Sequence, residues 1–296
     1  MDHLPKVSVI IPCYNRGKYI AETVESVLNQ TYPNVELVVV DDGCTDNSRE
    51  VLERYADRIR ILEHPGRVNC GQSAALNLGI RSSESDYVAF LDSDDLFAPD
   101  KIRQQVRFLE EHPQFGLVYS NGHAIDENGN VIHQIYGKNH REDSDPNRVL
   151  LDCYFLLPNN SLLRRDVLEK AGLFDESLRS AQDHDMAIRV AEVTKIGYLD
   201  QCLFSYRRHR DSISYRNAKL RWSNGYRILK KARSRYRYRL STLLGRLAVL
   251  NFRLGQCYRE EGNYFKAVPL FIAAGLCDPL RSLGVLTGRE KISSPH

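Results

Sequence analysis

The chain of 296 residues lacks the marks of several large function classes. No GxGxxG run follows a strand-like segment, which speaks against a dinucleotide oxidoreductase. No GxxxxGK[ST] run exists either, which removes the P-loop nucleotidases. No apolar stretch reaches the length of a membrane-spanning helix, and Met1-Asp2-His3-Leu4-Pro5-Lys6 has no signal-peptide pattern. The 7 cysteines are odd in number, scattered and never in a CxxC pair. Their spacing argues against a disulfide framework or a zinc site and for a reducing compartment. The net charge is only +3, but it is unevenly spread. Thirteen Lys or Arg residues stand between Arg207 and Arg239 against one acid, Asp211.

What is present begins with short β-branched runs. Val7-Ser8-Val9-Ile10-Ile11, ending at Pro12, predicts a central strand. Ile20, Val24, Val27 and Leu28 form a helical face over Tyr19 to Gln30. Val35 to Val40 predicts a second strand that stops at Asp41-Asp42-Gly43, and Thr45 or Asp46 can cap the helix that follows. A third strand is expected over Ile59 to Leu62, a helix over Gln72 to Gly79 and a strand over Tyr87 to Leu91. This alternation predicts an α/β fold with a mostly parallel sheet flanked by helices, whose ligands bind beyond the C-terminal strand ends. Farther on, Gly116 to Tyr119 reads as a strand and Asn128-Gly129-Asn130 as a hairpin turn. Lys138 to Asn147 reads as a polar, mobile loop.

Asp92-Ser93-Asp94-Asp95 follows the apolar run Tyr87 to Leu91 directly. Carboxylates crowded at a strand end repel one another, and a hard cation such as Mg²⁺ or Mn²⁺, which prefers oxygen ligands and substrate phosphates, relieves that repulsion. A solvated acidic turn is the plainer alternative for the run taken alone. Together with Asp41 and Asp42 at another strand end, it points to an enzyme of sugar nucleotides.

From here the sequence resembles glycosyltransferase family 2, whose fold is GT-A. The resemblance rests on an ordered set of segments: Val7 to Asn15, Val40 to Asp46, Gly71-Gln72-Ser73-Ala74-Ala75-Leu76-Asn77-Leu78-Gly79 and the Asp92 cluster. Gly172 to Glu176, Gln182-Asp183-His184-Asp185 and Tyr206-Arg207-Arg208-His209 complete it. It covers roughly residues 5–212, so a catalytic domain over 1–212 and a basic, helical extension over 213–296 are expected.

The resemblance implies a role for each matching residue. Pro12, Tyr14 and Asn15 would wall the nucleotide base, with Tyr14 offering a stacking face. Asp41 would accept a hydrogen bond from the uracil ring. Gly71, Ala75 and Asn77 would lie under the ribose and diphosphate, or serve only as packing positions. Many relatives carry Arg where this chain has Leu76. Asp94 and Asp92 would bind the metal, or Asp92 with Ser93 would reach the donor and leave Asp94 as the direct ligand. His209 would complete the metal or diphosphate site, or stay solvated within the basic run. Asp183 would be the catalytic base or merely cap a helix, and Asp185 is the alternative base or an acceptor contact. Relatives usually carry Glu before this Asp, where this chain has Gln182. Arg189 can pair with Asp185 across one helical turn.

The implied protein is an inverting, Mn²⁺- or Mg²⁺-dependent transferase that moves a sugar from a nucleoside diphosphate, most simply UDP. The acceptor is a hydroxyl on a saccharide or lipid-linked saccharide, and the setting is cytoplasmic. A catalytically silent sugar-nucleotide-binding module acting through its C-terminal helices is the alternative.

The extension has its own signals. From Arg221 to Leu276 the pattern is helical throughout, and Leu254 to Tyr258 with Gly262, Tyr264, Ala267 and Pro279 resembles one tetratricopeptide-type hairpin. One such unit is too short for a solenoid and is expected to pack on the catalytic domain. Tyr215, Trp222, Tyr226, Tyr236 and Tyr238 interleave with the basic residues. This segment reads as a solvated helical face, with peripheral contact to an inner membrane face as the alternative and nucleic acid disfavoured for want of a recognition motif.

Overall fold

The computed structural model describes residues 4–142, 144–152, 155, 157–209 and 218–286. Strands β1 (Val7–Cys13) and β2 (Val35–Asp41) are buried along most of their length without alternation, the pattern of strands covered on both faces. In β1, Val9 and Ile11 belong to the cluster that holds Ile20 and Val24 of helix α1 (Ile20–Leu28). Ile10 points the other way, toward α3 (Gln72–Arg81), where Gly79 lets the helix approach. Pro12 lies inside β1 rather than ending it. Pairing with β4 (Tyr87–Phe90) stops at Ile10↔Phe90, so at Pro12 the strand has one neighbour only and a missing N–H is tolerated.

The parallel arrangement expected for the first hundred residues is present: β1 runs parallel to β2 and β4, and β2 parallel to β3 (Arg60–Glu63). Beyond it the sheet becomes mixed. Strand β8 (Ser161–Arg164) is antiparallel to β4 and to β6 (Phe115–Ile125). Strand β9 (Lys195–Arg207) is parallel to β6 and antiparallel to β5 (Leu96–Phe97), and β7 (Val131–Gln134) forms a hairpin with β6 around Gly129. The order is β3-β2-β1-β4-β8-β6-β9-β5, which brings the ends of β2, β1 and β4 side by side. Helices α2 (Ser48–Glu53), α4 (Lys101–Glu111), α7 (Arg165–Ala171) and α8 (Gln182–Val193) complete this part of the chain, with the single turn α6 (Leu157–Asn160) preceding β8. At α2 the capping position falls to Asn47, while Asp46 accepts a hydrogen bond from the Ser48 N–H at 2.9 Å.

The chain forms two compact units, residues 1–144 with 155–209, and residues 145–154 with 210–296. The second unit is helical: α5 (Pro146–Leu151), α9 (Ala218–Arg235), α10 (Leu240–Glu260), α11 (Tyr264–Cys277) and α12 (Pro279–Leu286). Helices α10 and α11 make the expected hairpin. Gly255 admits the Phe271 ring, Gly262 turns the chain at φ +73°, and the Asn263 side chain caps α11 by accepting from the Lys266 N–H. Among the described residues no helix is long and apolar enough to cross a membrane. Tyr215 and Asp211 lie outside the described residues.

Candidate active site

The end of β2 delivers two buried carboxylates with different surroundings. Asp41 accepts a hydrogen bond from the Cys44 N–H at 2.8 Å and faces Arg49 at 3.4 Å. Asp42 accepts from the Cys70 and Gly71 N–H groups at 2.7 and 2.9 Å, joining β2 to the loop before α3. Burial raises the Asp42 carboxyl above its ordinary range in spite of those two bonds. Gly71 needs its missing side chain: its φ is +92°, and a Cβ there would meet the Arg179 guanidinium.

Next to β1 the chain leaves β4 into the acidic run. Asp92 accepts from Gln72 Nε2 at 2.7 Å and from Asn159 Nδ2 at 3.0 Å, and its own N–H donates to Asn159 Oδ1 at 2.8 Å. Its carboxyl is pushed up to about 7, first by burial and then by the negative charges of Asp94 and Asp183. Asp94 goes the other way. Burial would raise it, but the hydrogen bond from His209 and the charge of Arg16 prevail, and the carboxyl is held below its ordinary value. His209 Nε2 and Arg16 Nε both lie 2.9 Å from Asp94 Oδ2. Oδ1 has no hydrogen-bond partner among the described residues, and His209 Nδ1 is buried and likewise unpartnered. Asp95 is fully buried and accepts from the Arg207 N–H at 2.7 Å, while burial and its two acidic neighbours push its carboxyl well up. Arg207 closes this end of the site, donating to the Asp94 carbonyl at 2.9 Å and to Glu22 at 2.6 Å beneath the Tyr19 ring.

Helix α8 brings the remaining acids. Asp183 stands in its first turn, half-buried, with Oδ1 accepting from the His184 N–H at 2.8 Å. Its negative charge contributes to the raising of the Asp92 carboxyl. The preceding Gln182 donates to Gln72 Oε1 at 2.6 Å, and Gln72 in turn donates to Asp92, so a relay of amides links the start of α8 to the Asp92 carboxylate. Ala181 holds a left-handed backbone at φ 64°, an unusual geometry for a residue with a Cβ. Asp185 differs from Asp183: it is 1% exposed and paired with Arg189 at 2.9 Å, the contact expected one helical turn on.

The fold thus gathers Asp41, Asp92, Asp94, Asp183 and His209, with Tyr14 exposed and Asn15 at φ 52° on the adjoining turn. Asn15 Oδ1 accepts from the Thr45 N–H at 2.8 Å, fastening the β1 end to the β2 end. Pro12, Ala75 and Ser93 are buried. Asn77 is spent elsewhere: it donates to the Phe174 carbonyl at 2.9 Å and to Glu176 at 2.8 Å, and accepts from the Phe174 N–H at 2.9 Å. Sequence reasoning gave no role to Arg16, Gln72, Asn159 or Arg207. Arg16 directly follows the Cys13-Tyr14-Asn15 segment and Arg207 lies within the Tyr206 to His209 segment, so position in a motif was the available signal. Gln72 had the same signal, lying within the Gly71 to Gly79 segment, and only Asn159 had none.

A mixed sheet with two carboxylate-bearing strand ends, Asp41-Asp42 at the end of β2 and the Asp92-Ser93-Asp94-Asp95 run after β4, is the architecture of a nucleotide-sugar protein with the GT-A fold. The sequence profile of glycosyl transferase family 2 matches residues 8–172, and the chain belongs to that family. A protein from Rickettsia felis described as an uncharacterized glycosyltransferase is 36% identical over 205 residues, spanning 69% of this chain and 33% of the relative. Chondroitin synthase of Escherichia coli is 28% identical over 238 residues, spanning 79% of this chain and 34% of that protein. The chain therefore spans about a third of the length of these curated relatives. Among solved structures, S. aureus TarS 1-349 in complex with UDP-GlcNAc matches with a TM-score of 0.66 at 21% identity, over 93% of this chain and 83% of that one. The mannosyltransferase PcManGT of Pyrobaculum calidifontis, in complex with GDP-Man and Mn²⁺, matches with a TM-score of 0.64 at 20% identity, over 97% and 80%. Both likenesses establish the fold.

Proposed function

We propose that this chain is the donor-binding and catalytic part of an inverting glycosyltransferase that uses a UDP-sugar. The observation that carries the reading is that Asp41 and the Asp92 to Asp94 run stand at the ends of strands flanking β1, with the first turn of α8, which carries Asp183, linked to Asp92 through Gln182 and Gln72. Asp41 accepts the ring N–H of uracil, and Tyr14, 44% exposed, stacks on the base. Asp183 takes the proton from the acceptor hydroxyl as its oxygen attacks the anomeric carbon, and the bond from that carbon to the diphosphate breaks on the opposite side. A hard divalent cation, Mn²⁺ or Mg²⁺, fits the residues present. Asp92 suffers like-charge crowding, and Asp94 Oδ1 is unpartnered among the described residues. Asp94, Asp92 and His209 would hold it, and when bound it supplies neutralising charge to the departing diphosphate. Gln72, Asn159 and Arg16 position these carboxylates. The acceptor is a hydroxyl of a saccharide or lipid-linked saccharide, a reading supported by the polysaccharide-synthase names among the relatives.

Calorimetric titration with UDP, GDP and dTDP in Mn²⁺ tests the donor assignment. UDP should bind most tightly, and Asp41→Ala should weaken UDP at least tenfold, one tenfold step being about 1.4 kcal/mol. Equal binding of UDP and GDP, or an unchanged Asp41→Ala, would contradict it.

A further inference from the structure

A different set of donors lies on the other side of Asp42. We propose that Asp42, His64 and Cys70 form a second metal site, separate from the Asp92 and Asp94 carboxylates, and that it takes Zn²⁺. The spacing of the cysteines argued against zinc because Cys70 has no cysteine partner; the fold supplies His64 and Asp42 from other segments instead. One ligand atom from each residue lies within 4.8 Å of the others. His64 Nε2 stands 3.6 Å from Asp42 Oδ1, too far for a hydrogen bond, and is buried with no hydrogen-bond partner. In a tetrahedral zinc site, bonds of about 2.0–2.3 Å set neighbouring ligand atoms roughly 3.3–3.8 Å apart, so this gap is that of two ligands around one ion. The donor set of one sulfur, one imidazole and one carboxylate suits borderline-soft Zn²⁺ and not Mg²⁺ or Mn²⁺.

The surrounding backbone is already arranged for it. Asp42 is fixed by the Cys70 and Gly71 N–H groups, and each carboxylate oxygen keeps a second lone pair. Gly43, at φ +78°, lets the 67–69 backbone press against the β2 end, where a Cβ would meet Asn69 N at 2.8 Å. Binding forms a Zn–S bond and releases the Cys70 thiol proton to solvent, leaving a neutral site of one thiolate, one carboxylate, one imidazole and Zn²⁺. A water completes the fourth position. The ion staples the end of β2, which carries Asp41, to the loop leading into Gly71 and Gln72. Its role is to hold the floor of the donor site, not to enter the reaction.

The test uses the full chain, loaded with Zn²⁺ and dialysed against metal-free buffer, with bound zinc measured by mass spectrometry. Wild type and Asp94→Asn should each retain one equivalent, and Cys70→Ser and His64→Gln should retain less than a fifth of that, with unchanged far-ultraviolet circular dichroism. The Co²⁺-loaded protein should show a thiolate-to-metal charge-transfer absorption that Cys70→Ser abolishes. Cys44 Sγ lies 3.9 Å from Cys13 Sγ, a thiol pair that could itself capture zinc, so Cys44→Ser is the control and should keep its equivalent. Loss of zinc from Cys44→Ser but not from Cys70→Ser would overturn the proposal, as would a wild type that retains none. A Co²⁺ protein without the thiolate band would do the same.

Discussion

Asp183 and Asp185 are two residues apart yet live in different environments, and that difference underlies the proposal of Asp183 as the base. Asp183 is half-buried, spends one oxygen on a neighbouring N–H and lies close enough to Asp92 to raise its pKa. Asp185 is buried, with one oxygen paired to Arg189 and the other without a hydrogen-bond partner. The carboxylates were legible in the sequence because each follows an apolar strand or opens a helix. Their supports were not, since Gln72 and Asn159 act across 20 and 67 residues of chain. Lys101 was equally hidden. It is fully buried against the Phe97 ring, and its Nζ donates to Gln105 Oε1 at 2.6 Å and the Ser161 carbonyl at 3.3 Å with no carboxylate on it. Burial lowers its pKa well below the ordinary value. Between that lowered value and the unfolded value near 10.4 the unfolded chain binds the extra proton, so this residue's contribution to stability grows as pH rises and is lost as pH falls. Urea unfolding at pH 7.5 and 9.5 should therefore show a larger gain with pH in wild type than in Lys101→Met. Equal gains would mean that the amine titrates normally.

At the level of elements, the continuous apolar runs specified β1, β2 and β4 because a strand covered on both faces must be apolar throughout. Strand β9 escaped notice for the converse reason. It is 13 residues long, and Asp200 and Gln201 are exposed at its middle, so no continuous pattern marks it. Strand β8 is only four residues, wedged between α6 and α7. These unread strands turn the sheet from parallel to mixed, and the α6 turn before β8 carries Asn159 to Asp92. The contact of α3 with β1 depends on Gly79, whose added Cβ would come within 2.4 Å of Ile10 Cγ2. Gly79→Ala should destabilise the protein by about 1–3 kcal/mol, the usual cost of overpacking a core. Chemical denaturation checks this, and an unchanged midpoint would show that α3 shifts freely.

For the molecule as a whole, the basic run of the helical unit is the feature with the clearest consequence outside the active site. Arg233, Arg235, Arg237 and Arg239 are all exposed, at the end of α9 and in the turn before α10. If this segment meets an anionic membrane, the protein should sediment with anionic liposomes at low salt and come off at high salt. Changing the four to Gln should weaken that binding, and equal recovery with neutral and anionic liposomes would leave a solvated face. The whole account nevertheless turns on a single carboxylate. Turnover of a UDP-sugar in Mn²⁺, followed by UDP release in wild type and Asp183→Asn alongside calorimetric UDP affinity, tests it most directly. The account predicts a fall of roughly a hundredfold or more in turnover with nearly unchanged UDP binding, because the amide keeps the shape but cannot take the proton. An Asp183→Asn enzyme that turns over like wild type would contradict it.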